Sequence, residues 1–329
     1  MHRYHIYGLG AALVDTEIEV NDDFLKQAQI EKGLMTLVDE ARQAELLNLM
    51  KSHLVGSKRS SGGSACNSII AASYFGAKTF YSCKVADDDN GRFFQEDTQA
   101  AGVSTPNTAL TQGTTGKCLV MITPDAERTM NTFLGISETL SDNELDAEAL
   151  ANSDYVYLEG YLVTSPSGKA AAIKAREMAE RNGVKTAISL SDPGMVQFFK
   201  DGLKEMIGQK VDLIFCNKDE ALSWTETNNI QDAAEALKSS ARTFAITLGA
   251  EGALVFDGTN LSQVPGSSTK AIDTNGAGDM FAGAFLYAIS SGQDFPAAAK
   301  LANRAAAQVV SQYGPRLKPE QHASLKSAL

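Results

Sequence analysis

Through most of this chain, short apolar stretches of strand length alternate with longer stretches of helical periodicity, and few architectures accept that order. Residues 79–85 read as a strand and 91–101 as a helix; 155–158 with 167–182 and 185–190 with 195–207 repeat the pair, and further strands are expected at 211–216 and 242–248. The pattern predicts a mostly parallel sheet covered by helices on both faces, with ligands in the crevice beyond the carboxyl ends of the strands. Residues 4–9 add one more buried strand, running into Gly8 and Gly10. Residues 11–20 and 116–123 instead alternate apolar with polar side chains, as strands with one wet face do; the second turns at Pro124-Asp125 and returns over 128–134. They predict a small antiparallel sheet outside the main body, built from two insertions at about residues 12–36 and 106–136 of a single domain spanning 1–329.

Bulk properties narrow the function. A formal net charge of -11 repels nucleic acid and anionic membranes, so an anionic ligand needs a locally arranged site. The N-terminus lacks the apolar core of a signal peptide and no apolar run is long enough to span a bilayer, which predicts a cytoplasmic protein. Cys66, Cys83, Cys118 and Cys216 lack CxxC spacing and sit in apolar segments, as reduced buried thiols do. His2, His5, His53 and His322 form no HExxH pattern and flank no nucleophile elbow, which disfavours metallopeptidase and serine hydrolase chemistry.

The segment that points to chemistry is Asp273-Thr-Asn-Gly-Ala-Gly-Asp279 with the apolar helix expected over 280–287. Gly276-Ala277-Gly278 lets the backbone turn tightly and present successive N–H groups at a helix N-terminus, where free amides and the helix dipole hold anions. Phosphoryl transfer needs that stabilisation, because charge spreads over the oxygens of the moving group. Asp279 beside such an anion hole can accept the proton of an attacking hydroxyl; alternatively it is a first-turn carboxylate that only complements the dipole. Asp273 is placed to order the loop or a cation. Upstream, Ser60-Ser-Gly62-Gly63-Ser-Ala-Cys-Asn67 reads as a flexible turn opening a helix. Its glycines let a polyhydroxylated ligand approach the backbone and Asn67 offers a donor and an acceptor, unless Ser64 merely caps the helix.

Asp15, Gly62-Gly63 with Asn67, Asp87-Asp88-Asp89-Asn90-Gly91 followed by Ala101-Gly102-Val103, Asn217-Lys-Asp-Glu220, Thr247-Leu-Gly249 with Gly252, and the Asp273 to Asp279 segment follow one another along nearly the whole chain. In this set and order the chain resembles the ribokinase-like (PfkB) carbohydrate and nucleoside kinases, most nearly their adenosine-kinase branch. The resemblance implies a three-layer α/β/α sandwich with a mostly parallel central sheet and a small β-sheet lid that closes over substrate and excludes water. It implies that Asp279 is the base, Gly276, Ala277 and Gly278 the anion hole, and Asp15, Gly62, Gly63 and Asn67 the grip on the phosphate acceptor. Arg128 falls where a lid-side cation could meet phosphate or substrate, or is an exposed strand arginine. The resemblance further assigns Asn217 and Glu220 to Mg2+ and the nucleotide phosphates, Glu220 through water. Thr247, Gly249 and Gly252 fall to the ATP wall, and Asn303, on a core-like helix over 297–310, to the adenine. A K+ ion near Asp273 and a monomeric or homodimeric state are compatible with it. Ala86 departs from the pattern, standing where relatives often carry glycine ahead of the aspartate.

The expected activity is therefore transfer of the ATP γ-phosphoryl group to a hydroxyl of a nucleoside, adenosine foremost, since residues 24–35 resemble the adenosine-kinase branch. A sugar kinase acting on ribose, fructose or a related sugar, and a nucleoside-binding sensor without turnover, stay open. Gly8-Leu-Gly10 after the first strand has the start of a dinucleotide-binding turn, but Leu13 occupies the place of the third glycine and the segment continues as a strand.

Overall fold

A computed structural model describes residues 4–51, 58–106 and 111–327. Its strands, in chain order, are β1 (Tyr4–Leu9), β2 (Leu13–Glu19), β3 (Met35–Leu37), β4 (Lys58–Gly62), β5 (Thr79–Ser82), β6 (Val103–Ser104) and β7 (Thr115–Ile122). They continue with β8 (Arg128–Gly135), β9 (Ser153–Glu159), β10 (Lys185–Ser189), β11 (Val211–Asn217), β12 (Ala241–Thr247), β13 (Ala253–Phe256) and β14 (Leu261–Val264). Nine of them make one sheet in the order β14-β13-β12-β11-β10-β9-β1-β5-β6, parallel from β12 through β6 and antiparallel only at β13 and β14. The expected parallel body is present.

Both faces of this sheet are buried, and side-chain alternation along each strand feeds two cores. On β9, Tyr155 and Tyr157 enter one core, while Val156 and Leu158 enter the other. The first core is closed by the helices Ser64–Phe75, Ala277–Ser290 and Phe295–Val309, and the second by Pro166–Asn182, Lys200–Ile207 and Ile230–Leu237 with their neighbours. The single helix expected over 195–207 is two, Pro193–Phe198 and Lys200–Ile207, because Phe199 leaves helical geometry at φ −124°, ψ 21°. No helix among the described residues is long and apolar enough to cross a membrane.

The remaining strands form a second sheet, β3-β8-β7-β2-β4. Here the structure corrects the sequence: the sheet is mixed. The β7–β8 hairpin and the β2–β4 pair are antiparallel, but β2 runs parallel to β7 and β3 to β8. Alternation reports which face a strand wets and says nothing of its partner's direction; only the Pro124-Asp125 turn carried directional information. Ser60–Gly62, expected in a flexible turn, is the end of β4, so a third chain segment joins the two expected. The stretch 106–136 includes four residues, 107–110, outside the described set, as are His2 and His53. One face of the small sheet packs Ile18, Leu119 and Met121 on Leu25 and Leu46 of the helices Asp22–Gln27 and Glu40–Leu49. The other carries Leu13, Cys118, Val120 and Met130. Asp88, which caps the helix Asp89–Ala100 by accepting from Gly91 N at 2.7 Å, also accepts from Thr115 N and Oγ1, tying the start of β7 to the main body.

Candidate active site

A cavity of about 380 Å³ lies between the carboxyl ends of the main-sheet strands and the uncovered face of the small sheet. β9, β11 and β12 deliver Glu159, Asn217 and Thr247 at their ends, and the small sheet supplies Asp15, Arg128 and an apolar surface. The crevice is where the parallel topology places ligands.

Asp279 sits in the first turn of the helix Ala277–Ser290. Its Oδ1 accepts from Ser64 Oγ at 2.6 Å and its Oδ2 from Asn67 Nδ2 at 3.0 Å, both donors on the facing helix Ser64–Phe75. Burial raises the Asp279 pKa from the ordinary aspartate value, against the two hydrogen bonds and the charges of Arg128 and Arg316. A carboxylate moved toward neutrality is a better proton acceptor than a free one. Gly276 begins the helix at φ +75°, where a β-carbon would run into Pro315, and no acceptor among the described residues meets the N–H of Gly278 or Asp279. Those amides point along the helix axis as unpaired donors, and Gly278 is exposed to the cavity.

Opposite, Asp15 on β2 is only 5% exposed, and its carboxylate lines the cavity with no hydrogen-bond donor among the described residues. Burial pushes its pKa up to about 8; Arg316 opposes the rise, and Glu17, Asp279 and Glu159 add to it. Gly62 does not line the cavity, but a β-carbon there would overlap the Asp15 carboxylate. Gly63 lines it at φ +100°, pressed against the Ala11 carbonyl, and starts the helix without a side-chain cap.

Arg128, at the start of β8, lines the cavity and is half-buried. Burial works against its charge, but Tyr161, Asp279, Asp192 and Glu127 outweigh that and hold its pKa above the arginine norm. This is no freely exposed strand arginine. Asn217 and Glu220 also line the cavity and form a reciprocal cap on the helix Lys218–Thr225: Glu220 N donates to Asn217 Oδ1 at 2.8 Å, while Asn217 N and Nδ2 donate to the Glu220 carboxylate at 3.0 and 2.7 Å. Burial pushes Glu220 to about 7. Thr247 and Gly249 complete this end.

Besides Gly62, three expected residues stand back from the cavity lining. Gly252 holds φ +101° in a turn where a β-carbon would meet the Val264 carbonyl. Asn303 spends its amide on the Val264 and Pro265 carbonyls, both at 3.1 Å. Asp273 is fully buried, accepting from Asn275 N at 2.8 Å and Gly314 N at 2.9 Å, so it orders the glycine loop.

Other residues join the site that motif reading passed over. Ser64, weighed only as a helix cap, makes no cap and donates to Asp279. Glu159 lines the floor, accepts from Ala65 N at 2.8 Å, and is pushed by burial to about 7. Asn275 is buried in the lining with Nδ2 unpaired. Its place in the glycine motif was the one signal available.

The family model for pfkB family carbohydrate kinases matches residues 41–322. The adenosine kinase of Schizophyllum commune is 26% identical over 346 aligned residues, covering 97% of this chain and 98% of that one. Among solved structures, the adenosine kinase from Sinorhizobium meliloti superposes with a TM-score of 0.93 at 34% identity, covering 99% of this chain and 100% of its own. A probable sugar kinase from Rhizobium etli CFN 42 gives the same TM-score of 0.93 at 33% identity, over 100% and 99% of the two chains. With the family model spanning 41–322 and the fold shared along the whole chain, the chain belongs to the pfkB family of carbohydrate kinases, in the branch that holds the adenosine kinases, and is an ATP-dependent kinase.

Proposed function

We propose that this enzyme transfers the γ-phosphoryl group of ATP to a hydroxyl of a nucleoside, adenosine foremost, with Asp279 as the base. The observation that carries the assignment is the Asp279 carboxylate itself, held by Ser64 and Asn67 at the mouth of a helix whose Gly278 and Asp279 amides meet no acceptor among the described residues. As the acceptor oxygen attacks the γ-phosphorus, its proton passes to Asp279 and the bond to the β,γ-bridging oxygen breaks, releasing ADP. The amides of Gly278 and Asp279, with Gly276 and Ala277 shaping the turn, face the charge that grows on the equatorial oxygens. Asp15 takes hydrogen bonds from acceptor hydroxyls, Gly62 leaves room for the Asp15 carboxylate and Gly63 for the acceptor, and Arg128 reaches the cavity from the roof with a cation for phosphate.

ATP occupies the end of the cavity lined by Asn217, Glu220, Thr247 and Gly249. When bound, Mg2+ neutralises charge on the β- and γ-phosphates. The residues fit an ion held mainly by phosphate and water. Glu220 is a buried carboxylate already engaged by Asn217, and no cluster of three or more His, Cys, Asp or Glu side chains arranged for a metal exists among the described residues. Near Asp273, where the K+ ion is expected, the carboxylate accepts from Asn275 N and Gly314 N and orders the loop.

A nucleoside is favoured over a bare sugar by the underside of the small sheet. Leu13, Met130 and Leu134, with Met35 and Leu37, line the cavity on the face that also carries Asp15. A nucleobase has a flat apolar face to set against them; ribose or fructose has none. The similarity to a probable sugar kinase keeps that second reading in the test. ADP release with Mg2+ and ATP is measured across adenosine, other nucleosides, ribose and fructose. Adenosine should give the highest turnover, and Asp279→Asn should cut kcat by at least about two orders of magnitude with little change in acceptor binding. Near-normal turnover in that variant removes the base assignment. Turnover with sugars only moves the acceptor, and nucleoside binding without turnover in the wild type makes the protein a sensor.

A further inference from the structure

Arg316 lies in the segment that follows the last long helix, far in sequence from the Asn67 and Asp15 motifs, yet its guanidinium meets Asn67 behind the cavity lining. Its Nε donates to Asn67 Oδ1 at 3.2 Å, its Nη1 to Asp97 Oδ2 at 2.8 Å and its Nη2 to Ser61 Oγ at 2.8 Å. Ser61, near the end of β4, in turn gives both its N–H and its Oγ–H to Asp97 Oδ2. One planar group thus joins the small sheet, the helix Asp89–Ala100 and the helix bearing Ser64 and Asn67. We propose that Arg316 is a positioning residue for phosphoryl transfer, fixing which way the Asn67 amide faces and through it the Asp279 carboxylate.

The argument rests on donor and acceptor inventory. A guanidinium has five N–H donors and no acceptor, so the Asn67 atom facing it must be Oδ1. Nδ2 is then left facing Asp279 Oδ2, which it meets at 3.0 Å. With the amide reversed, Oδ1 would confront the carboxylate and repel it, and Asp279 would keep only Ser64 as a donor. An isolated asparagine beside a carboxylate could still choose the right face, but any second ligand able to donate or accept at its other end would let it turn; Arg316 removes that freedom. The same segment supports the glycine loop independently. Gly314 N donates to Asp273 at 2.9 Å, and Pro315 lies where any side chain at Gly276 would have to go. Three consecutive residues therefore meet the glycine loop that precedes Asp279 and the Asn67 amide that holds it.

Charge adds a second effect of the same group. Arg316 faces Asp97, Cys66 and Asp15, and its field also reaches Tyr74 and Asp279. Asp279 faces Arg128 as well, while Asp15 also faces Glu17, Glu159 and Asp279. Within this predominantly acidic pocket Arg316 lowers the pKa of both Asp15 and Asp279 against burial. Removing its charge moves both upward.

The inference rests on the kinase reading, and its test separates the two. Wild type, Arg316→Gln and Arg316→Lys are compared in steady-state kinetics with ATP and adenosine over pH 6–9. The Asn67 side-chain amide, assigned by its loss in Asn67→Asp, is followed by NMR in parallel. Expected for Arg316→Gln are a fall in kcat of at least about tenfold, an acid limb of kcat/KM moved to higher pH, an unchanged KM for ATP, and loss of the single restrained Asn67 amide environment. Arg316→Lys, which restores the charge without the fork, recovers the acid limb but not kcat. Wild-type kcat and pH profile in Arg316→Gln would falsify the inference, as would an Asn67 amide left undisturbed. A wild type inactive on every acceptor sinks the kinase reading instead, and the NMR comparison then still decides the role of Arg316. A variant with lowered thermal stability but an unmoved acid limb and amide reduces Arg316 to a structural tie.

Discussion

At Gly62 the missing side chain is what makes room for the Asp15 carboxylate. Gly62→Ala should therefore drive Asp15 out of place while leaving the nucleotide end intact: the KM for the acceptor rises at least about tenfold, with the KM for ATP within about twofold, read in the same ADP-release kinetics. Equal losses for both substrates would show that Gly62 shapes more than the acceptor end. Asn67 and Asp279 were legible in the sequence because the glycines beside them mark places where backbone and ligand approach closely, and Asp15 only through the family resemblance. Ser64 was not, since a serine at a helix start serves equally as a cap, and only the facing helix shows that its hydroxyl is engaged by Asp279. Arg316 carried no local pattern at all; its partners lie 219 to 255 residues away. Asn303 was expected against the adenine, but the structure puts its amide on two carbonyls of the β14 end, at the margin of the site.

The small sheet is where element-level reading was partly right. Its alternation was visible, and the alternation delivered the two faces, one under helices and one over the cavity. Its order was not visible, because β2 takes β7 as a parallel neighbour across roughly a hundred residues of intervening chain. The end of β4 reads as a turn because Ser60–Gly62 is polar and ends in glycine, although an antiparallel partner at β2 satisfies its backbone. If the roof grips a nucleobase, shortening two side chains on its cavity face should weaken nucleoside binding alone. Met130→Ala with Leu134→Ala should raise the adenosine KM roughly 5–30-fold, the scale of about 1–2 kcal/mol of lost apolar burial. The ATP KM should hold. An unchanged adenosine KM would leave the roof without a role in acceptor choice.

Over the whole molecule, the site leaves a mark on stability. Burial holds Asp15 at about 8 and Glu159 and Glu220 at about 7. Between the ordinary carboxylate range and those values the folded chain keeps protons that the unfolded chain has released, so stability falls as pH rises through that window. The ligand-free protein should melt at a higher temperature near pH 5.5 than near pH 8.5, and Asp15→Asn with Glu159→Gln should flatten the difference, as thermal scans can read. A wild-type melting temperature that climbs from pH 5.5 to 8.5 would contradict it.

β1 lies at the centre of the main sheet, between β5 and β9, although it is the first described strand. On the ribosome it therefore emerges with both edges open, pairs on one side only when Thr79–Ser82 arrives, and stays open on the other until Ser153–Glu159 has been translated. For that interval an apolar strand edge of a half-made protein is offered to any neighbour. The yield of this enzyme in a cell thus depends on how fast its first half is made and shielded, and a slow stretch of translation between β5 and β9 would lower it without changing one residue of the finished fold.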